Sequence, residues 1–291
     1  MSLTQQFPFK VMMPAQFEKA TRFRDLHQRD RVFLIPNPWD GGSARVLEKL
    51  GFEALATSSS ASAATLARTD GNLTRDEAIA HCRVIASSTN LPVSGDLENG
   101  FGRAPEDAAL TVQLAGAAGL VGCSIEDSTN DKRNPLFEIT HATERISAAV
   151  EAARGFPFPF MLTARAEVFT SGSGNLDEAI RRLQAYERAG ADVLFAPGLP
   201  TLEAVREVCM AVRKPVNFMV TVRGKSFSVA ELAAVGVKRI SFASSLYRAA
   251  IGGLLKAARE IQSDGTFHYL QEIPTGMEWA SYLQTTPEKN N

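Results

Sequence analysis

Cysteine is nearly missing from this chain: Cys82, Cys123 and Cys209 are the three thiols in 291 residues, and they stand far apart. An odd, sparse set without metal-ligand spacing argues against a disulfide framework and a structural zinc site. It fits reduced thiols in a cytoplasmic protein, and Cys123, mid-strand among small and apolar residues, reads as a buried inert thiol. Histidine is almost as scarce, with four residues. His81 and His141 fall on helices, where surface or capping roles are expected, and His27 and His268 lie away from any strand end. No apolar run approaches ~18 residues, so no membrane span is expected. The first residues lack the basic segment, apolar core and cleavage site of a secretory leader. Neither sign of charge prevails: 31 Lys and Arg face 32 Asp and Glu, a net of −1. Without a basic stripe, neither nucleic acid nor anionic membrane is an expected partner.

What the chain does have is apolar material, 45% of its residues, with 22% charged, enough for a large globular core. It also has a rhythm. A short β-branched or apolar run is followed by small or polar residues, then by a helix-period segment ending near a glycine. "RVFLIPNPWD" leads to "GGSARVLEKLG", "LPVSGDLE" to "APEDAALTVQLAGAAG", and "PFMLTARAE" to "NLDEAIRRLQAYERAG". In the last of these, Leu176, Ile180, Leu183 and Tyr186 keep helical spacing and Gly190 suits a left-handed cap. Thr74 and Glu77 form a capping-box pattern. Eight such units imply right-handed βαβ crossovers, a parallel sheet and a TIM-type (β/α)8 barrel of the α/β class. One domain over 1–291 is expected, with its core at about 31–265. An extra N-terminal helix would close the barrel floor, and a tail at 266–291 would add no ninth strand.

In such a barrel the site lies at the C-terminal strand ends. The first strand ends in Asn37, Trp39 and Asp40, the second in Ser58, Ser59 and Ser60, with Asp70 in its connection. The third gives Asp96 and Glu98, the fourth Glu126 and Asp127, and the fifth Arg165 and Glu167. The sixth and seventh offer little beyond Pro197 and Asn217, and the eighth gives Ser241, Ser244 and then Tyr247. Strand alternation places Asp96 with Glu98, and Arg165 with Glu167, on shared faces. If those faces point inward, several acids converge on one arginine, and clustered ionised groups away from water cost several kcal/mol each unless paired. A hard divalent cation resolves the imbalance, and carboxylates with retained waters are the usual Mg2+ ligand set. Bland readings stand beside each of these. The serine run and Asp70 also suit turns, Arg165 also suits a structural ion pair, and Trp39 either lines a pocket or packs under a loop.

The stretches "PNPWDGGSARVLEKLGFEALATSSSASAA", "LPVSGDLENGFG", "GCSIEDS", "LTARAE" and "AGADVLFAPG" together resemble the isocitrate lyase/phosphoenolpyruvate mutase superfamily. The resemblance is to its phosphoenolpyruvate-mutase-like branch, the carboxyvinyl-carboxyphosphonate phosphorylmutase-like proteins, and it runs from about Arg31 to Gly265. It implies chemistry at a C–C or P–C bond beside a 2-oxo or 2-hydroxy carboxylate, through an enolate intermediate held on Mg2+, with Mn2+ as a substitute. It further implies that Asp96 approaches the metal directly while Glu98 and Glu126 act through its waters. Ser58, Ser59 and Ser60 would cradle the substrate carboxylate through their backbone, Asp70 would stand near the metal, and Arg165 would grip the substrate. Asn217 joins the substrate-binding set, and Glu167 is a candidate proton relay. Members tend to be tetramers exchanging a C-terminal helix, so a homo-oligomer, dimer or tetramer, is expected, with the tail after Gly265 available for contacts.

The departures from the family are equally specific. Isocitrate and methylisocitrate lyases carry a Lys-Cys-Gly-His type segment on a mobile loop, and here "EDSTNDKRNPLFEI" holds neither Cys nor His. Phosphonopyruvate-forming members read Glu-Asp-Lys, whereas Ser128 stands in place of that Lys, although Lys132, Arg133 and Asn134 follow. Pro197 matches the mutase's sixth-strand histidine. A gating loop from Ser128 to Glu138 is expected to close over the substrate. The leading expectation is a Mg2+-dependent lyase cleaving a C–C bond of a small 2-oxo or 2-hydroxy (di)carboxylate. Decarboxylation would suit the missing loop acid. The alternatives are a P–C bond enzyme, either a phosphoenolpyruvate phosphonomutase or a phosphonopyruvate hydrolase, and a non-catalytic metabolite-binding barrel.

Overall fold

The short apolar runs become strands: β1 (Phe33–Ile35), β2 (Leu55–Ala56), β3 (Val93–Asp96), β4 (Gly122–Glu126), β5 (Met161–Arg165), β6 (Val193–Phe195), β7 (Val216–Met219) and β8 (Arg239–Ser241). The structure is a computed structural model describing residues 13–172, 174–220 and 227–284. All strand pairs are parallel, in the order β1-β8-β7-β6-β5-β4-β3-β2. This is the (β/α)8 barrel expected from the eight-fold repeat. At the β1–β2 seam the link is Ala56 N–H to Pro36 O, 3.0 Å. Asn37 reinforces it, donating from Nδ2 to Thr57 O at 2.9 Å and accepting the Phe242 N–H at 2.8 Å. An amide side chain thus bridges β1 to β2 and β8 where the ladder is thin.

The helices are α1 (Met13–Gln28), α2 (Gly41–Lys49), α3 (Ser59–Thr65), α4 (Arg75–Ser88), α5 (Pro105–Ala117), α6 (Ile139–Arg154), α7 (Leu176–Arg188), α8 (Leu202–Ala211), α9 (Val229–Ala234), α10 (Ser245–Asp264) and α11 (Gly276–Leu283). Their ends follow the sequence signals. Thr74 and Glu77 form the capping box of α4, and Gly190 takes φ +100 after α7. Leu183 and Tyr186 are fully buried, with Leu176 and Ile180 packed against the core. The extra helix α1 closes the floor, with Phe23 buried against the start of β4. Gly122 makes that seat: a Cβ there would lie 3.0 Å from Phe23 Cε1 and 2.6 Å from Met161 O.

Two features differ from the sequence expectation. The connection after β2 holds the short helix α3, so Ser59 and Ser60 open a helix and do not end a strand. The eighth helix, α10, has no buried residue along its 20-residue length. Beyond Gly265, a 3-10 turn (His268–Gln271) leads to α11, which returns to α2 and sets Trp279 against Gly42. No helix among the described residues is long and apolar enough to cross a membrane. Cys82, Cys123 and Cys209 are all free thiols. Burial raises the pKa of Cys82 to about 12 and that of Cys123 further still, in keeping with inert core thiols.

Candidate active site

At the C-terminal mouth of the barrel lies a cavity of about 270 Å3, lined by acids and serines above and by polar strand residues below. Asp70, Asp96, Arg165, Asn217 and Ser58, Ser59 and Ser60 all line it. Asp96 ends β3 and is held from several directions. The Ser59 N–H donates to its Oδ2 at 3.0 Å, the Ser124 hydroxyl to its Oδ1 at 3.3 Å, and Arg165 Nη1 lies 3.6 Å away. Its own N–H donates to Thr57 Oγ1 at 2.9 Å. The serine run therefore works locally in two ways. Ser58 caps α3, accepting the Ala61 N–H, and Ser59 joins α3 to Asp96 through its N–H while favouring the ionised form of the neighbouring Asp70.

Glu98 reaches the cluster by a different route from the strand alternation anticipated. β3 stops at Asp96, and Glu98 adopts φ +49 in a turn where Phe101 also takes φ +58. A left-handed non-glycine backbone is strained, and such strain gathers at functional sites. Gly100 completes the turn at φ +81, packed so that a Cβ would lie 3.0 Å from Ala108 Cα. Arg145, 1% exposed, clamps the turn from below by donating to the carbonyls of Asn99, Gly102 and Ala104. Glu98 is 6% exposed and its Oε1 has no hydrogen-bond partner among the described residues. Burial, with the charges of Asp96 and Asp70, raises its pKa to about 7.

Arg165 is the electrostatic centre. Its Nη1 lies 3.3 Å from Glu126 Oε2, its Nε pairs with Glu167, and its guanidinium stacks over the Phe195 ring at 5.1 Å. Burial alone would lower its pKa, but Glu167, Glu126 and Asp96 outweigh burial and raise it. Burial pushes Glu126 well above the ordinary carboxylate range, Arg165 opposes that, and the neighbouring acids add to it. Asp70, at the rim, is raised by desolvation and by Asp96. One arginine thus faces Asp96, Glu126 and Glu167, with Asp70 and Glu98 crowding the same charge. Even so, no three His, Cys, Asp or Glu side chains among the described residues close on one point to hold a metal by themselves.

Asp127, adjacent to Glu126, turns the other way. It accepts from Arg182 Nη1 (3.1 Å) and Tyr186 Oη (2.6 Å), and its Oδ1 takes the Glu167 N–H at 2.8 Å. It is an internal anchor that fixes Glu167, which Thr170 also holds through Oε2. Glu167 lines a second cavity together with Ser128 and Lys132. The expected gating loop is a small hairpin closed by a Ser128–Leu136 bridge and by the Phe137 N–H to Asp127 O. Lys132 lines that cavity, whereas Arg133 points to solvent beside Asp131 and Asn134 donates its N–H back to Asp131 O.

Several expected residues fall elsewhere. Trp39 does not line the main cavity; its ring packs edge-on against Tyr247 at 5.7 Å and its carbonyl meets His81 Nε2. Asp40 caps α2. Glu98 and Glu126 do not line the cavity, although Glu126 pairs with Arg165, which does. Among the contributors that went unread in the sequence are Thr57 and Ser124, which hold Asp96, Phe195 from β6 and Arg239 from β8, and all four line the cavity.

The family model for phosphoenolpyruvate phosphomutase matches residues 23–262. The probable 2-methylisocitrate lyase 2 of Corynebacterium glutamicum is 32% identical over 260 residues, covering 86% of this chain and 83% of the relative. The crystal structure of a lyase/mutase candidate from Burkholderia cenocepacia J2315 superposes with TM-score 0.90 at 47% identity, covering 92% of this chain and 97% of that one. A phosphonopyruvate hydrolase solved with oxalate and Mg2+ superposes with TM-score 0.82 at 25% identity, covering 91% and 94%. The barrel, the acid-rich strand ends and these matches agree, and the chain belongs to the phosphoenolpyruvate phosphomutase family within the isocitrate lyase/phosphoenolpyruvate mutase superfamily.

Proposed function

We propose that this protein is a Mg2+-dependent lyase that cleaves a C–C bond beside a small 2-oxo or 2-hydroxy (di)carboxylate. The observation that carries the reading is the surplus of carboxylates around Arg165, with Glu98 Oε1 buried and unpartnered. The donor set fits Mg2+, with Mn2+ as substitute: every nearby ligand is a hard carboxylate oxygen, and the scattered geometry suits an ion that keeps several waters. Asp96 would hold the ion directly, with Glu98, Glu126 and Asp70 reached through water. When bound, Mg2+ supplies a Lewis acid for the substrate oxygen on which negative charge builds up. The C–C lyase among the relatives and the Mg2+–oxalate complex of another support the same reading.

The protein's own groups then orient the substrate. Arg165 offers a fork of N–H donors to a carboxylate, and its stacking on Phe195 restrains the guanidinium plane. The first turn of α3 and the Asn217 amide add neutral donors at the cavity wall. Glu167, held by Arg165, Thr170 and the Asp127-bound backbone, pairs with an arginine of the main cavity and itself lines the second cavity beside the gating hairpin; at that junction it is the side chain placed to relay a proton. The hairpin from Ser128 would close over this junction and exclude water.

The second reading is a P–C bond enzyme, favoured by one observation: Lys132 lines the cavity beside Glu167, where a phosphoryl group would want a cation. A single panel separates the two. Purified protein with Mg2+ is given oxaloacetate, methylisocitrate, dimethylmalate, phosphonopyruvate and phosphoenolpyruvate, and pyruvate and phosphate release are followed. Pyruvate without phosphate from a C–C substrate supports the lyase. Phosphate release, or interconversion of phosphonate and phosphate ester, overturns it. We also propose a homo-oligomer, since α10 leaves Leu254, Leu255 and Ile261 exposed.

A further inference from the structure

Below the acids, the barrel holds a cation that no acid among the described residues accompanies. Arg239, 5% exposed on β8, lines the cavity from its floor. Its three contacts are all neutral: Nε donates to Asn217 Oδ1 at 2.8 Å, Nη2 to Thr163 Oγ1 at 3.0 Å, and Nη1 lies 3.3 Å from His27 Nε2. His27 Nδ1 donates to Phe23 O at 2.8 Å, which leaves Nε2 as the acceptor for arginine. Burial and the arginine's own charge bring the His27 pKa down to about 3, so the imidazole stays neutral. Burial lowers Arg239 itself to about 9, and a guanidinium withdrawn from water without a carboxylate is costly to keep.

What the arrangement secures is the direction of an amide. Asn217, 2% exposed, could present either its oxygen or its NH2 to the cavity. Arg239 occupies the oxygen, so Nδ2 must face the other way, where it donates to Ser241 Oγ at 3.0 Å. The second Asn217 N–H and the Ser241 hydroxyl proton are then donors at the cavity wall. We propose that Arg239 is a positioning residue that locks Asn217 as a hydrogen-bond donor toward a bound carboxylate. The ligand class rests on the reading under Proposed function; the lock itself does not.

Two measurements test it separately. The first needs no ligand: the Asn217 side-chain NH2 pair is assigned in a 15N–1H spectrum by its loss in Asn217→Asp, and its solvent exchange is followed in Arg239→Met and Arg239→Lys. Faster exchange by about tenfold or more supports the lock. Unchanged exchange in a folded variant overturns it, and Arg239→Lys decides the matter if Arg239→Met does not fold. The second is calorimetric titration of oxalate with Mg2+. Arg239→Met should weaken oxalate by about tenfold or more, roughly what one charge-assisted contact contributes. In the Asn217→Ala background the same change should cost far less, because the arginine acts through the amide. Equal losses in both backgrounds overturn the positioning role. If the wild-type protein binds no oxalate, the functional reading fails while the exchange measurement still decides the lock.

Discussion

Arg165 Nη1 lies 3.3 Å from Glu126 Oε2, both side chains largely withdrawn from solvent. The pair is the hinge of the site's electrostatics, because Arg165 also meets Asp96 and Glu167. Removing one partner of a buried ion pair typically costs about 3–5 kcal/mol, since the other charge is stranded. Arg165→Gln should therefore destabilise the protein by about that amount in denaturant titrations at pH 7.5. The loss should shrink at pH 5.5, where the stranded acids take up protons. A loss that does not depend on pH would mean that Arg165 acts through packing on Phe195.

Glu98 gives the site a pH signature. Its folded pKa of about 7 stands above the ordinary carboxylate value, so the folded state binds more protons than the unfolded chain between those two points. Its contribution to stability is full below the unfolded value near ~4.3 and is lost as pH rises through about 7. Without metal, that contribution should be present at pH 5 and absent at pH 8. A cation that favours the ionised acids should reverse the effect. Mg2+ should raise the thermal midpoint more at pH 8 than at pH 5.5, and Glu98→Gln should reduce the difference. An Mg2+ shift as large at pH 5.5 as at pH 8 would separate the metal from these carboxylates.

The gating hairpin divides its two neighbouring cations. Lys132 lines the cavity that Glu167 shares, while Arg133 is 93% exposed beside Asp131. An exposed ion pair contributes about 0–1 kcal/mol, so Arg133→Ala should leave oxalate affinity within about twofold of wild type. Lys132→Ala should weaken it by about tenfold, the scale of one charge-assisted contact. Calorimetry on both variants checks the contrast, and equal effects would mean that the hairpin acts as a general positive surface.

The barrel was legible in the sequence because each of its units carries its own signals. The Thr74–Glu77 capping box and the Gly190 cap need nothing from the rest of the chain. The acids at the ends of β3, β4 and β5 were legible for a related reason: a charge following an apolar run is conspicuous. Glu98 arrived at the site, yet through a left-handed turn that alternation does not encode. Arg239 and Phe195 were not legible. "RISFAS" opens with its arginine, which reads as a polar strand edge, and only the pairing of Arg239 with Phe33 and Asn217 turns it into the interior. That register is set between strands far apart in sequence. Trp39 misled in the opposite sense, because an aromatic beside a strand end is equally suited to packing on Tyr247.

The eighth helix carries the last expectation. In a TIM-type barrel the outer helices bury one face against the strands, yet α10 buries no residue. Leu254 and Ile261, seven positions apart and so on one helical face, are 62% and 42% exposed, with Leu255 beside them at 46%. A helix keeps an apolar stripe because that stripe meets another surface, and uncovered patches of this kind mark association sites. A second copy of the chain offers the same stripe to itself under two-fold symmetry. Light scattering behind size exclusion should therefore return a dimer or tetramer mass. Leu254→Glu with Leu255→Glu places two charges on the stripe without touching the barrel interior. The variant should run at monomer mass with its barrel circular-dichroism signal intact. A wild-type monomer, or an unchanged oligomer in the double variant, would show that α10 is not the contact.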